Sequence, residues 1–257
     1  MKYCCRWPNH YRVSSLWTMP KVMDEHIVSR QRVIDHGEVY TPPGLVNDML
    51  DLVAHECERI DSRFLEPACG NGNFLTEVLR RRLTAVGRKC RKSILRWEQD
   101  ALLGLACLYG IELLYDNVNE CRDRLHAIFH DAYTARFKDE CRRECSAAAR
   151  VILRSNIVQG DALKMTMVAH DPNEPMILTQ WAMLPGGRFK RQLYEYRELT
   201  GDPPGAAPSL FAGDIEPLFC ELGKPVFIAR PVGELPLVHY LELGLEEKKQ
   251  GNGRRAK

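Results

Sequence analysis

Glu66-Pro67-Ala68-Cys69-Gly70-Asn71-Gly72-Asn73 sets an acid and two glycines immediately before a helical period that resumes at Phe74, Leu75, Val78 and Leu79. Two glycines let the backbone turn sharply and approach a ligand, and the helix that follows opens with free N–H groups suited to a carboxylate or a similar acceptor. Glu112 ends the next short apolar run, where a carboxylate can accept both hydroxyls of a ribose. Asp161 ends a third, Asn156 to Gly160, where it can accept from an adenine amine. A dinucleotide enzyme would carry three glycines in the loop and its ribose acid about 20 residues later. Here there are two glycines and the acid comes 40 residues after Gly72, which argues against nicotinamide binding. The competing reading is that the glycines make only a tight turn and the acids cap helices.

The elements that must position these residues can be read from the spacing of apolar side chains. Leu45, Val46, Met49, Leu50, Leu52 and Val53 predict a helix from Pro43 to Ile60, started by Thr41-Pro42-Pro43. Arg63-Phe64-Leu65 predicts a strand leading into the glycine turn and then a helix. Ser93 to Leu108, Asp116 to about Phe129 and Arg136 to Arg150 read as helices. Tyr109 to Leu114, Asn156 to Leu163 and Met176 to Met183 read as strands. Strands alternating with helices predict an α/β fold with a doubly wound, mainly parallel sheet and helices on both faces. Residues 1–30 show no sustained period and read as a loosely attached arm. Residues 31–245 form the domain, in which 202–208 read as a loop and Lys224 to Ile228 as a strand, and 246–257 read as a polar tail.

Composition narrows the function classes. The chain has 257 residues, of which 45% are hydrophobic and 27% charged, enough for one domain with a buried core and unlike a disordered or collagen-like chain. No apolar run reaches the length of a membrane span, and Met1 to Trp17 lacks the apolar stretch of a signal peptide, so a cytoplasmic protein is expected. None of the ten cysteines forms a Cys-x-x-Cys pair, and reduced, mostly buried thiols are expected. His126-x-x-x-His130 and Cys141-x-x-x-Cys145 each share a helix face, but the spacing is looser than in zinc knuckles and no metal is expected. The formal charge is only +2, so a nucleic-acid surface must come from local clusters. Eight basic residues from Arg80 to Arg96 form one, with Arg80, Arg81, Arg82, Arg88, Lys89, Arg91 and Lys92. Arg188, Lys190, Arg191 and Arg197, interleaved with Phe189, Tyr194 and Tyr196, form a second.

Gly37-Glu38-Val39-Tyr40-Thr41-Pro42-Pro43, together with Phe64-Leu65-Glu66-Pro67-Ala68-Cys69-Gly70-Asn71-Gly72-Asn73-Phe74-Leu75, resembles the first two signature segments of adenine-specific, S-adenosylmethionine-dependent DNA methyltransferases. These are the modification subunits of restriction–modification systems, and the resemblance covers about Asp35 to Trp181. It implies a Rossmann-like methyltransferase fold. It also implies that Tyr40, Thr41 and Pro42, with Glu66, Pro67, Ala68, Cys69, Gly70, Gly72 and Phe74, hold the methionine part of S-adenosylmethionine. Glu112 with Leu113 would hold the ribose, and Asp161 with Ala162 the adenine.

The family carries Asn or Asp followed by Pro-Pro and an aromatic residue at the end of its fourth strand, to hold the target amine and stack on the extruded base. No such tetrapeptide exists in this chain. The strand in that place ends in Thr179-Gln180-Trp181, of which Gln180 offers an amide oxygen and Trp181 a stacking face, although an aromatic at a strand end also commonly covers a core. The implied partners are DNA, met by Arg188, Lys190 and Arg191 near that base site and by Arg80 and Arg81, and a restriction or specificity subunit. A donor-binding subunit without methylation, or methylation of RNA or protein, stays open.

Overall fold

The computed structural model describes residues 30–90, 93–168, 174–200 and 229–246. The arm expected over 1–30 lies outside them except for Arg30. The loop at 202–208, the strand at 224–228, Arg91 and Lys92, and all of the tail after Glu246 also lie outside the described residues. The chain divides into two compact units, 1–40 and 41–257. In the first, α1 (Arg30–His36) is followed by Gly37 in the left-handed region, and Glu38 accepts hydrogen bonds from Arg32 at 2.7 Å and from the Tyr40 hydroxyl at 3.1 Å.

The second unit is a mixed α/β structure. In chain order it has α2 (Pro43–Asp51), α3 (Ala54–Glu58), β1 (Phe64–Glu66), α4 (Asn73–Lys89), α5 (Ile94–Ala106), β2 (Leu108–Glu112), α6 (Tyr115–Phe137), α7 (Arg143–Asn156) and β3 (Ile157–Asp161). Then follow β4 (Thr166–Met167), β5 (Ile177–Leu184), β6 (Arg188–Glu195), α8 (Tyr196–Thr200) and β7 (Gly233–His239). The helix expected from Pro43 to Ile60 is two helices. Val53 leaves helical geometry at φ −125°, and only Val46, Leu50 and Cys57 reach the interior, while Leu52 and Val53 stay in solvent.

Strands β1, β2 and β3 are parallel, and β4 returns antiparallel to β3, giving a mostly parallel four-stranded sheet. Register pairs Glu66 with Gly110 and Glu112 with Gln159, so Glu66, Glu112 and Asp161 step along the carboxyl ends of three adjacent strands. The two faces are packed differently. Leu108 joins a large cluster with Leu75, Leu79, Trp97, Leu105 and Phe129, whereas Ile111, an odd number of residues away and so on the other face, joins Val158, Met176, Leu178 and Tyr196. Helices α2 to α7 all feed the first cluster. Among the described residues only the short α8 joins β5 on the second face, so the helices expected on both sides are concentrated on one.

The reason is a hairpin that periodicity alone did not separate. Gly186 and Gly187 stand at φ 79° and 71°, which turns β5 back into β6, and β7 adds a third strand to make a separate antiparallel sheet. This sheet is tied to the helices through Glu98, which is fully buried on α5 and accepts from the hydroxyls of Tyr133 and Tyr240 and from the Arg142 guanidinium.

The His126 imidazole is 3.0 Å from the Ser146 hydroxyl and links α6 to α7; burial pulls its pKa down to about 4. Its ring stacks on His130, and among the described residues no group of three or more His, Cys, Asp or Glu side chains could hold a metal ion. The seven described cysteines are free, and all but Cys141 are buried. No described helix is long and apolar enough to cross a membrane.

Candidate functional site

At the carboxyl ends of the parallel strands the Glu112 carboxylate joins two segments. Its Oε2 accepts from the Gly70 amide and its Oε1 from the Leu114 amide, both at 2.9 Å. A carboxylate has about four acceptor positions, so each oxygen keeps one for a ligand hydroxyl. The loop that Glu112 grips is set by backbone bonding: the Cys69 amide donates to the Ile111 carbonyl of β2 and the Gly72 amide to the Cys69 carbonyl. Gly70 and Gly72 have φ 51° and 88°, and a Cβ at Gly72 would come 2.6 Å from the Cys121 sulfur, so this turn requires glycine both for conformation and for space.

Gly72 caps α4 without a side-chain acceptor, which leaves the first-turn N–H groups of a 17-residue helix open to an anion. Asn73 donates from its side chain to the Thr41 carbonyl at 3.1 Å and so holds the Thr41-Pro42 segment at this helix start. Arg124 donates to the Asn71 carbonyl at 2.6 Å and the Asn71 amide nitrogen to Glu120 at 3.0 Å, while the Asn71 side-chain oxygen is buried with no partner. Phe74 packs on the core, and Pro67 and Ala68 are exposed on the loop.

The other acids differ from Glu112. Burial pushes the Glu66 carboxyl above its usual range, with the Ala68 amide opposing, and among the described residues no cation pairs with it. Asp161 accepts from the Leu163 and Lys164 amides at 3.0 Å and pairs with the Lys164 ammonium at 3.3 Å; the Lys164 amide is the chief cause that holds its carboxyl below the usual range. It is thus engaged by its own turn. Leu113 is exposed and its carbonyl accepts from Gln159, and Ala162 packs against the smaller cluster. Cys69 is a packing residue. A hydrogen bond with Cys121, then burial, push its thiol far up, which keeps it out of the reactive thiolate form. Tyr40 lies in the first unit.

The uncompensated acid at Glu66 gives a prediction. Because its folded pKa is raised, the unfolded chain ionises first, and stability is lost as pH rises from the unfolded through the folded value. Glu66→Gln should therefore raise the urea midpoint at pH 7.5 and change little at pH 3.5. An equal shift at both values would remove ionisation as the cause.

Thr179, Gln180 and Trp181 are not brought to this crevice. Met176, before β5, lies against Gly160 at the carboxyl end of β3, whereas the Tyr109 hydroxyl donates to the Thr179 carbonyl at 3.0 Å. The Trp181 indole then donates at 2.8 Å to Asn156, which precedes β3 and itself donates to the Ala106 and Leu108 carbonyls at the amino end of β2. Strand β5 therefore runs against β1–β3, and its far end lies away from Glu66, Glu112 and Asp161. Trp181 is 4% exposed and edge-on to Phe189, so it covers the core and presents no face for a base. Trp181→Phe keeps an aromatic ring but removes the indole N–H and part of the buried volume and strands the Asn156 oxygen, and a loss of at least about 1–3 kcal/mol is expected in urea titration. An unchanged midpoint would show that this bond contributes nothing.

The basic clusters are largely spent on internal structure. Arg81 pairs with Asp51 at 2.7 Å and with Glu77, and Arg80 leans on Glu77 at 3.6 Å. Arg82 is fully buried, donating to the Gly104 and Ser62 carbonyls. Arg191 is buried against Glu246 and the Pro236 carbonyl, and Lys190 pairs with Glu234 at 3.5 Å. Arg188 is the exposed member of its trio.

No family model, curated protein or solved structure matches the chain. The crevice must therefore be read from its own geometry. Asn71, Asn73 and Arg124 are the residues of this region that motif spacing did not single out. The signal for Asn73 was present in the sequence, since an amide at the first position of a helix can reach a preceding segment.

Proposed function

We propose that this chain is an S-adenosylmethionine-dependent methyltransferase of adenine in DNA, a modification subunit that works with a restriction or specificity partner, on a Rossmann-like, mostly parallel sheet. The observation that carries the reading is the Glu112 carboxylate, bonded to the Gly70 amide at the carboxyl end of parallel strands and with acceptor positions left over. The donor set fits the group: among the described residues, a carboxyl without a cation at Glu66, uncapped N–H groups at α4 and a buried Asn71 oxygen without a partner. Glu66 would hold the ammonium, the start of α4 beside Thr41 and Pro42 the carboxylate, and Glu112 the ribose hydroxyls. Asp161 would reach the adenine only by yielding one of its bonds to Leu163 or Lys164. When bound, S-adenosylmethionine supplies an electrophilic methyl group on sulfur, and the protein's share of the rate is positioning.

The direction of β5 favours a second reading, a donor-binding subunit that does not itself methylate, because Gln180 and Trp181 lie away from the crevice. Incubation of the full chain and plasmid DNA with labelled donor separates the two. Label in adenine supports the enzyme. Tight donor binding without transfer, with or without added partner, supports the subunit, and absence of donor binding overturns both.

A further inference from the structure

On the face of the sheet opposite α4 is a cavity of about 210 Å³ beside Leu65, Tyr109, Leu178, Gln180, Tyr194 and Arg63. Leu178 and Tyr194 are directly paired across β5 and β6, and Gln180, two residues along, shares their face. The floor is apolar: Leu65 is 43% exposed, although it lies on a strand of the sheet. Around this floor stand three polar groups, the Arg63 guanidinium, the Gln180 amide and the Tyr194 hydroxyl, that make no side-chain hydrogen bond or ion pair among the described residues. By contrast, Arg191 of β6 and Arg81 and Arg82 of α4 are engaged by carboxylates or carbonyls.

We propose that this cavity is a second ligand site, separate from the Glu112 crevice, for an adenine nucleotide carrying one phosphate. The volume is below the roughly 300–1,000 Å³ of clefts that take drug-sized ligands, so it suits one fused ring and not a dinucleotide. Leucine side chains and tyrosine rings provide the contact surface for a planar base. A primary amide offers a donor and an acceptor side by side, which matches the paired acceptor and donor on one edge of adenine. Arg63 stands at the exposed rim, where its planar fork suits a phosphate. The site is on the strand face away from Glu66 and on the part of β5 that precedes Trp181, so it does not depend on the donor reading. The same chemistry can come from a free mononucleotide or from an adenine nucleotide within a single strand.

Calorimetry on the full chain with adenosine monophosphate, with adenosine and with a short single-stranded deoxyadenosine oligonucleotide tests the assignment. Gln180→Leu should weaken all three that bind, and Arg63→Gln should weaken the phosphate-bearing ligands about tenfold while leaving adenosine unchanged. Both positions are on the surface or partly exposed, and unaltered urea midpoints will verify folding. Binding of the mononucleotide assigns the free ligand, and binding of the oligonucleotide alone assigns the strand. Affinity for S-adenosylmethionine should be the same in both variants. Failure of both phosphate-bearing ligands to bind, or binding indifferent to both substitutions, overturns the proposal. So does binding abolished by Glu112→Ala, which would place the ligand in the other crevice.

Discussion

Glu98→Ala should destabilise the protein by about 3–5 kcal/mol, the cost of removing one partner from a buried ionic pair. Glu98 is fully buried on α5, and four donors converge on it. The Tyr133 hydroxyl and the Arg142 Nε, at 3.0 Å, donate to Oε1, and the Arg142 Nη2 and the Tyr240 hydroxyl, at 2.7 Å, donate to Oε2. The Arg142 amide in turn donates to the Tyr133 oxygen at 3.0 Å. The donors come from α6, the start of α7 and the turn after β7, so loss of the acid on α5 releases donors in three places at once. Burial is the chief cause that pushes both tyrosine hydroxyls up, and the hydrogen bond with Glu98 is the chief cause that raises Arg142. Glu98→Gln keeps the volume but turns one acceptor into a donor facing other donors, and it should recover little. A urea midpoint that falls with alanine but is restored by glutamine would show that the loss comes from the cavity and not from the charge.

The contrast between this network and the glycine loop shows what was readable from the sequence. Glu66, Gly70, Gly72 and Glu112 lie at the junctions of periodic elements, where spacing alone assigns them to one end of the sheet. Glu98 lies between Trp97 and Ala101 on a helix that also carries Arg96, Gln99 and Asp100, and nothing local identifies Tyr240, 142 residues away, as its partner. Arg82 was legible in principle. Leu75, Val78, Leu79, Leu83 and Val86 form the buried stripe of α4, and Arg82 falls on it, so density of basic charge was a poorer guide than periodicity. The direction of β5 was not legible. An alternating apolar run fixes which residues share a face, not which way the strand crosses the sheet, and that depends on bonds such as those of Tyr109 and Asn156 to residues 70 and 25 positions away.

Glu112→Gln should weaken binding of S-adenosylmethionine, or of its demethylated product, about 100-fold or more, because two hydrogen bonds to a charged acceptor contribute roughly 1.5–3 kcal/mol each. The substitution also disturbs the loop, since Glu112 accepts from both the Gly70 and Leu114 amides and a glutamine has only one oxygen to offer them. Loss of affinity alone therefore would not place the ribose. A demethylated donor lacking the 2′-hydroxyl separates the two effects, because interactions that share a partner are not additive. With the wild-type protein the deoxy ligand should bind about tenfold less tightly than its parent, as one charge-assisted bond is lost. With Glu112→Gln the two ligands should bind almost alike. The same tenfold gap in both proteins would put the ribose on other residues and leave Glu112 as the clasp of the glycine loop alone.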